Sequence, residues 1–188
     1  MDAPSPWVAG WAPCIPAGEV LDLACGRGRH ARACAALGHP VLAVDRDPVV
    51  LADAAGTGIV TQCIDLEGEG KGADAGATAT WPFAPGRFAG VVVTNYLHRP
   101  LFAGLAAALQ PGGLLIYETF ALGNEAYGKP SNPAFLLAPG ELFAMAHAYG
   151  LHVLAYEDGV IQAGRTARVQ RICAIRPEFD LSKLPLEV

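Results

Sequence analysis

Short, unbroken runs of apolar residues alternate along this chain with Ala- and Leu-rich stretches that stop at glycine. Val20–Ala24 is apolar apart from Asp22 and runs into Gly26 and Gly28. Arg29–Leu37 has helical character and halts at Gly38, a residue suited to closing a helix. Val41–Val44 predicts a second buried strand. Asp47-Pro48 then predicts an N-cap with proline at the first helical position, opening a short helix to about Ala55. Ile59–Ile64 predicts a third strand. Phe88–Thr94, with Val91-Val92-Val93 at its centre, predicts a fourth, since β-branched residues in an unbroken run suit burial on both faces. Pro100–Leu109 reads as a helix, Pro111-Gly112-Gly113 as a turn, and Leu114–Thr119 as a fifth strand. Pro139–Tyr149 is a helix ended by Gly150, and Leu151–Tyr156 and Val169–Ile175 close the set as two last strands.

This order predicts an α/β fold: a Rossmann-like, doubly wound, seven-stranded and mostly parallel sheet with a C-terminal antiparallel hairpin arm. The 188 residues suit one domain. Within it we expect residues 1–18 to form a pocket-covering N-terminal segment, 67–86 a flexible insert rich in Gly, Ala and charge, and 120–138 a substrate lid.

Composition narrows the partners. Hydrophobic residues make up 52% and charged residues 16%, which argues against disorder. The net charge of −5 argues against a nucleic-acid partner, which would require a Lys/Arg surface. The five cysteines, Cys14, Cys25, Cys34, Cys63 and Cys173, match no zinc spacing, so no metal is expected and a reducing, cytoplasmic setting is. The first residues lack a basic stretch followed by an apolar run, so a signal peptide is not expected, and no stretch is long enough for a membrane helix.

The chemistry is concentrated in Asp22-Leu23-Ala24-Cys25-Gly26-Arg27-Gly28. A strand running into Gly-x-Gly and then a helix lets backbone N–H groups approach a ligand closely. Asp45, 17 residues after Gly28 at the end of the second strand, is placed to accept hydrogen bonds from both hydroxyls of a ribose. Together they predict a nucleoside cofactor at the switch point of the sheet. Gly26-Arg27-Gly28-Arg29-His30-Ala31 also satisfies the dinucleotide fingerprint, so an NAD(P)-binding oxidoreductase stands as an alternative. Asp22 favours a cationic ligand over a pyrophosphate, which it would repel, and Asp65 is placed to accept from an adenine amino group.

Asp22–Gly28, Val44-Asp45, Ile64-Asp65 and Leu109-Gln110-Pro111-Gly112-Gly113 resemble, as an ordered set, the motifs of class I S-adenosylmethionine-dependent methyltransferases. Ala24 departs from the more usual glycine. Ser5-Pro6-Trp7, Asn95–Pro100 and Glu118-Thr119-Phe120 with Gly123-Asn124-Glu125 are similar to a bacterial subgroup near the tellurite-resistance methyltransferases. The resemblance implies S-adenosylmethionine as cofactor, with Gly26 and Gly28 along its methionine part, Asp45 on the ribose, and Asp65 with Leu66 by the adenine. The expected cofactor contacts are Asp22, Ala24, Cys25, Gly26, Gly28, His30, Asp45, Arg46, Asp65, Leu66 and Asn95. Cys25 reads as a close-packing residue rather than a nucleophile. Candidate catalytic residues follow the fourth strand: His98, Tyr96 and Asn95. His98 reads either as a substrate-facing base or as a cap of the next helix, and Arg27 and Arg29 flank the pocket mouth. A small-molecule acceptor is expected, because the chain offers no extended recognition surface. A homodimer or protein partner, or a catalytically silent methyltransferase-like subunit, remains compatible with the apolar content.

Overall fold

The computed structural model describes residues 3–68, 81–162 and 166–178. Seven strands form one sheet: β1 (Val20–Leu23), β2 (Val41–Asp45), β3 (Ile59–Cys63), β4 (Phe88–Thr94), β5 (Leu109–Phe120), β6 (His152–Ile161) and β7 (Ala167–Ile175), ordered β3-β2-β1-β4-β5-β7-β6. The first five run parallel, and β7 pairs antiparallel with both β5 and β6. The predicted doubly wound sheet with an antiparallel C-terminal arm is therefore the fold.

Both faces of the sheet are covered, which is why β1 and β4 are buried at every position. Leu21, Leu23, Val91, Val93, Leu115 and Tyr117 face one layer, where α4 (Phe102–Ala108) and α5 (Glu141–Ala148) supply Leu105, Leu142 and Met145. Val20, Val92, Leu114 and Ile116 face the other, with α1 (Pro6–Trp11), α2 (Arg29–Ala36) and α3 (Pro48–Ala52) supplying Trp7, Ala31, Cys34 and Leu51. Cys25, Cys34 and Cys173 are buried, and Cys14 and Cys63 are exposed.

Three local differences from the sequence reading have clear causes. Residues 6–11 form a helix, started by the Ser5 hydroxyl accepting from Val8 N–H at 3.3 Å with proline at N1. The Pro111–Gly113 turn lies inside β5, since Gly112 N–H donates to Arg176 O and Arg176 N–H to Gly113 O, at 2.8 and 2.9 Å. The arm is longer than predicted: β6 reaches Ile161 and β7 begins at Ala167. No position of β6 is buried, and Arg168 interrupts the start of β7, so neither extension shows the apolar run that marks a buried strand. Most of the predicted 67–86 insert lies outside the described residues. Its last part returns to the core, where Trp81 meets Phe83 edge-on at 5.1 Å and Phe83 meets Phe88 at 5.5 Å.

Candidate functional site

The connections from β1 and β4 leave the sheet on opposite sides, and the crevice between their carboxyl ends is where ligands bind in open α/β sheets. The loop after β1 is shaped by its own backbone. Ala24, Gly26 and Gly28 all adopt positive φ, at 52°, 52° and 73°. Cys25 N–H donates to Val44 O at 3.0 Å and Gly28 N–H to Cys25 O at 2.9 Å, so the loop turns tightly beside β2. Asp45 completes the turn: Oδ2 accepts from Gly26 N–H at 2.8 Å and Oδ1 from Asp47 N–H at 3.0 Å.

Asp22 is buried at the end of β1. Its Oδ2 accepts from Ala31 N–H, in the first turn of α2, at 2.8 Å. Its Oδ1 is buried with no hydrogen-bond partner among the described residues. Loss of hydration raises its pKa to about 7, against the lowering effects of the Ala31 hydrogen bond and Arg29. A folded protein that keeps this proton up to about pH 7, while the unfolded chain gives it up near pH 4, loses stability as pH rises between the two. We therefore expect Asp22→Asn to gain stability relative to the wild type across that interval, reaching about 1–3 kcal/mol above pH 7. Urea unfolding of both proteins from pH 4 to 8 measures it; parallel pH profiles would contradict a buried proton at Asp22.

Two cavities open from this crevice. One, of about 330 Å³, is lined by Asp45, Arg46, Asp65, Leu66 and Glu67 on one side and by Tyr96, Leu97, Thr119, Phe120, Pro130 and Phe135 on the other. The second, of about 800 Å³, is lined by Cys25, Gly26, Arg27, Arg29, His30, Arg32, Asp53, Ala55 and Thr94. Ala24 and Asn95 line both. They are also the non-glycine residues with positive φ among those described, at 52° and 55°. Such conformations cost on the order of 1 kcal/mol and are held only where surrounding structure fixes them. Here Asn95 is fixed by its N–H donating to Glu118 O at 2.9 Å, and Ala24 by the flanking loop bonds. Backbone strain thus falls where the two cavities meet.

In the smaller cavity Arg46 donates to Glu67 at 3.2 Å, the Tyr96 hydroxyl is hydrogen-bonded to Glu67, and Asp65 accepts from Glu67 N–H at 3.0 Å. Burial, followed by the Glu67 charge, pushes the Tyr96 phenol well above its usual value, so it stays protonated. Tyr117 fixes this stretch from below by donating to Tyr96 O at 2.9 Å. The 120–138 segment forms the far wall. It is pinned by Arg99, which donates to Ala134 O and Leu136 O at 3.0 Å, and by Asn124, which donates to Pro130 O at 2.9 Å.

The structure brings Ala24, Cys25, Gly26, His30, Asp45, Arg46, Asp65, Leu66, Asn95 and Tyr96 to the two cavities. Asp22 and Gly28 sit behind that lining. A Cβ on Gly28 would stand 2.6 Å from Ala54 Cβ, so this glycine serves the close approach of loop and α3. His98 lies in neither described cavity; it precedes a 3-10 turn at Arg99–Leu101 and its side chain makes no capping bond. His30 has both ring nitrogens engaged: Nε2 accepts from Ser5 N–H and Nδ1 meets the Thr94 hydroxyl, each at 3.2 Å. Burial, then Arg29, lowers its pKa to about 3, so the ring is neutral and ties the N-terminal segment to β4. Trp7 also anchors that segment, donating to Ile172 O at 3.2 Å under the Arg171 guanidinium.

Sequence reasoning missed Glu67, Arg32, Asp53 and Thr94. Glu67 was hidden in the predicted insert, although Asp65 two residues earlier signals an Asx turn. Arg32 is one helical turn past Arg29, a spacing that puts both on one face of α2.

Residues 20–113, half of the chain, match the family described as a methyltransferase domain. No curated protein matches the sequence. Among solved structures, the chain is similar to an S-adenosylmethionine dependent methyltransferase from Mesorhizobium loti, with 17% identity, TM-score 0.69, and 91% of this chain and 96% of that one covered. TehB from Haemophilus influenzae shares 19% identity and a TM-score of 0.69 over 90% of this chain and 61% of its own. Geranyl diphosphate C-methyltransferase from Streptomyces coelicolor A3(2), solved with Mg2+, geranyl diphosphate and S-adenosyl-L-homocysteine, shares 14% identity and a TM-score of 0.64 over 90% and 79%.

Proposed function

The chain belongs to the methyltransferase domain family, and from that premise we propose that it is an S-adenosylmethionine-dependent methyltransferase acting on a small-molecule acceptor in the cytoplasm. The observation that carries this reading is the pair of cavities meeting at Ala24 and Asn95. The smaller one suits a nucleoside: Asp45 and Asp65 offer acceptors at the ends of β2 and β3, and Leu66, Leu97 and Phe120 offer apolar walls.

The amino-acid end of the donor would extend from Asp45 over Gly26, where even an added Cβ would meet no atom within 4 Å. Asp22, buried behind this loop with an Oδ1 that has no hydrogen-bond partner among the described residues, would favour positive charge brought to this end. When bound, S-adenosylmethionine supplies a sulfonium methyl that an acceptor lone pair takes as the C–S electrons return to sulfur. The residues of the chain orient the two partners and exclude water, the contributions such a displacement draws on most. Asn95 is set by its strained backbone at the junction, with its side chain exposed there. Tyr96, protonated and bonded to Glu67, acts as a wall and donor rather than a base. His98, outside both cavities, drops behind Asn95 and Tyr96 as a candidate for contact with the acceptor.

Thermal unfolding with S-adenosylhomocysteine and, separately, with NAD tests the reading. A ligand at about a hundred times its Kd adds roughly 2.7 kcal/mol, or on the order of 5–10 °C at this size. We expect the rise with S-adenosylhomocysteine alone. A rise only with NAD would replace the methyl-transfer reading with an oxidoreductase, and no rise with either would favour a silent subunit.

A further inference from the structure

Charge is divided between the two cavities. The smaller is lined by three acids, Asp45, Asp65 and Glu67, and one arginine, Arg46. The larger is lined by three arginines, Arg27, Arg29 and Arg32, and one acid, Asp53. In a chain of net charge −5, the basic lining is a local exception. Arg27 is answered by Asp53, to which it is paired. Arg32 donates to the Asp53 carbonyl at 3.0 Å, which satisfies one N–H and leaves its charge in place. Arg29 is half-buried, and its guanidinium makes no hydrogen bond or ion pair among the described residues. Its charge reaches Asp22 and His30 from a distance. A guanidinium carries five donors in a planar fork that matches a carboxylate or phosphate.

We propose that the basic cavity is the acceptor site and that it selects a small molecule carrying an oxyanion group, carboxylate or phosphate, held by Arg29 and Arg32. This rests on the donor reading above. The amino-acid end of the donor carries one carboxylate and one ammonium and so brings no net charge. A donor end of zero net charge therefore leaves the excess positive charge of Arg29 and Arg32 in place for an acceptor anion. At about 800 Å³ the cavity is on the scale that takes a whole small molecule, not only the end of the donor. Its mouth at Ala24 and Asn95 is shared with the nucleoside cavity, so an anion anchored at Arg29 and Arg32 leaves the rest of the acceptor facing the junction. The same charge raises the local concentration of anions in the cleft, which an otherwise acidic protein would repel.

The test is calorimetric titration of inorganic phosphate, and separately acetate, into protein saturated with S-adenosylhomocysteine at constant ionic strength. We expect at least one of these ions to bind the saturated protein, and the Arg29→Gln/Arg32→Gln double variant to bind it at least tenfold more weakly. Glutamine preserves helix propensity at both half-buried positions, and an unchanged melting temperature confirms a folded variant. Preference between the two ions separates a phosphate site from a carboxylate site. Ion binding that disappears when S-adenosylhomocysteine saturates the protein would overturn the proposal, because both guanidiniums would then belong to the donor. Equal ion affinity in the double variant, or no binding of either ion, would overturn it too. Failure of S-adenosylhomocysteine itself to bind would instead strike the donor reading, and is recorded in the same experiment.

Discussion

Gly28→Ala is expected to lower the melting temperature by about 5–15 °C, whereas Gly26→Ala, two residues away, lowers it by only a few degrees. Both glycines have positive φ, at 73° and 52°, so each substitution carries a left-handed backbone cost of about 1 kcal/mol. The surroundings separate them. A Cβ on Gly28 would lie 2.6 Å from Ala54 Cβ and 2.8 Å from Ala54 Cα. The second is backbone, so the end of α3 or the start of α2 has to shift, adding about 1–3 kcal/mol of overpacking. A Cβ on Gly26 meets nothing within 4 Å. That open space is where the loop faces the larger cavity, so Gly26→Ala is expected to act on ligand binding, weakening S-adenosylhomocysteine about tenfold or more. Equal melting temperatures for the two variants would show that loop and α3 do not approach each other this closely in solution.

The largest effect on binding is expected at Asp45. Its carboxylate holds Gly26 N–H and Asp47 N–H at 2.8 and 3.0 Å while lining the smaller cavity, so it shapes the loop and presents acceptors together. Asp45→Ala removes both bonds and the charge. Each freed N–H lies in a part-buried or exposed setting where water can replace the carboxylate, which limits the stability loss to about 1 kcal/mol. The binding loss has no such replacement and is expected to reach about 1–3 kcal/mol, roughly 5- to 150-fold in Kd. Asp45→Asn keeps one carbonyl oxygen and should fall between the two proteins. Calorimetric titration with S-adenosylhomocysteine measures the series; an Asp45→Ala affinity within twofold of the wild type would remove Asp45 from the donor site.

Much of this architecture was legible in the chain. Val91-Val92-Val93 marked the central strand because a run apolar on both faces has no stable place except between two helical layers. Gly26 and Gly28 marked the loop because few other residues tolerate its left-handed turns. The C-terminal arm was legible only in part: no position of β6 is buried and Arg168 and Arg171 interrupt the buried residues of β7, so their extent depends on antiparallel pairing rather than on an apolar run. The N-terminal helix was missed because six residues are too few for a helical period, and it is held by Ser5 capping, the His30 bond and the Trp7 anchor.

By itself, then, the sequence determined the order of strands and helices, the sheet they build, and the positions of Asp22, Asp45 and Asp65 at strand ends. These follow from local periodicity and from the chirality of parallel crossovers, which leave a chain of this pattern few other ways to bury its apolar faces. Only the tertiary structure decided what each polar side chain does. It placed Gly28 against Ala54, turned His30 into a neutral tie between the N-terminus and β4, and left His98 outside both cavities. It also gathered acids in one cavity and arginines in the other. Those outcomes depend on distances between residues far apart in the chain, such as Ser5 to His30 and Glu67 to Tyr96, and no local pattern encodes them.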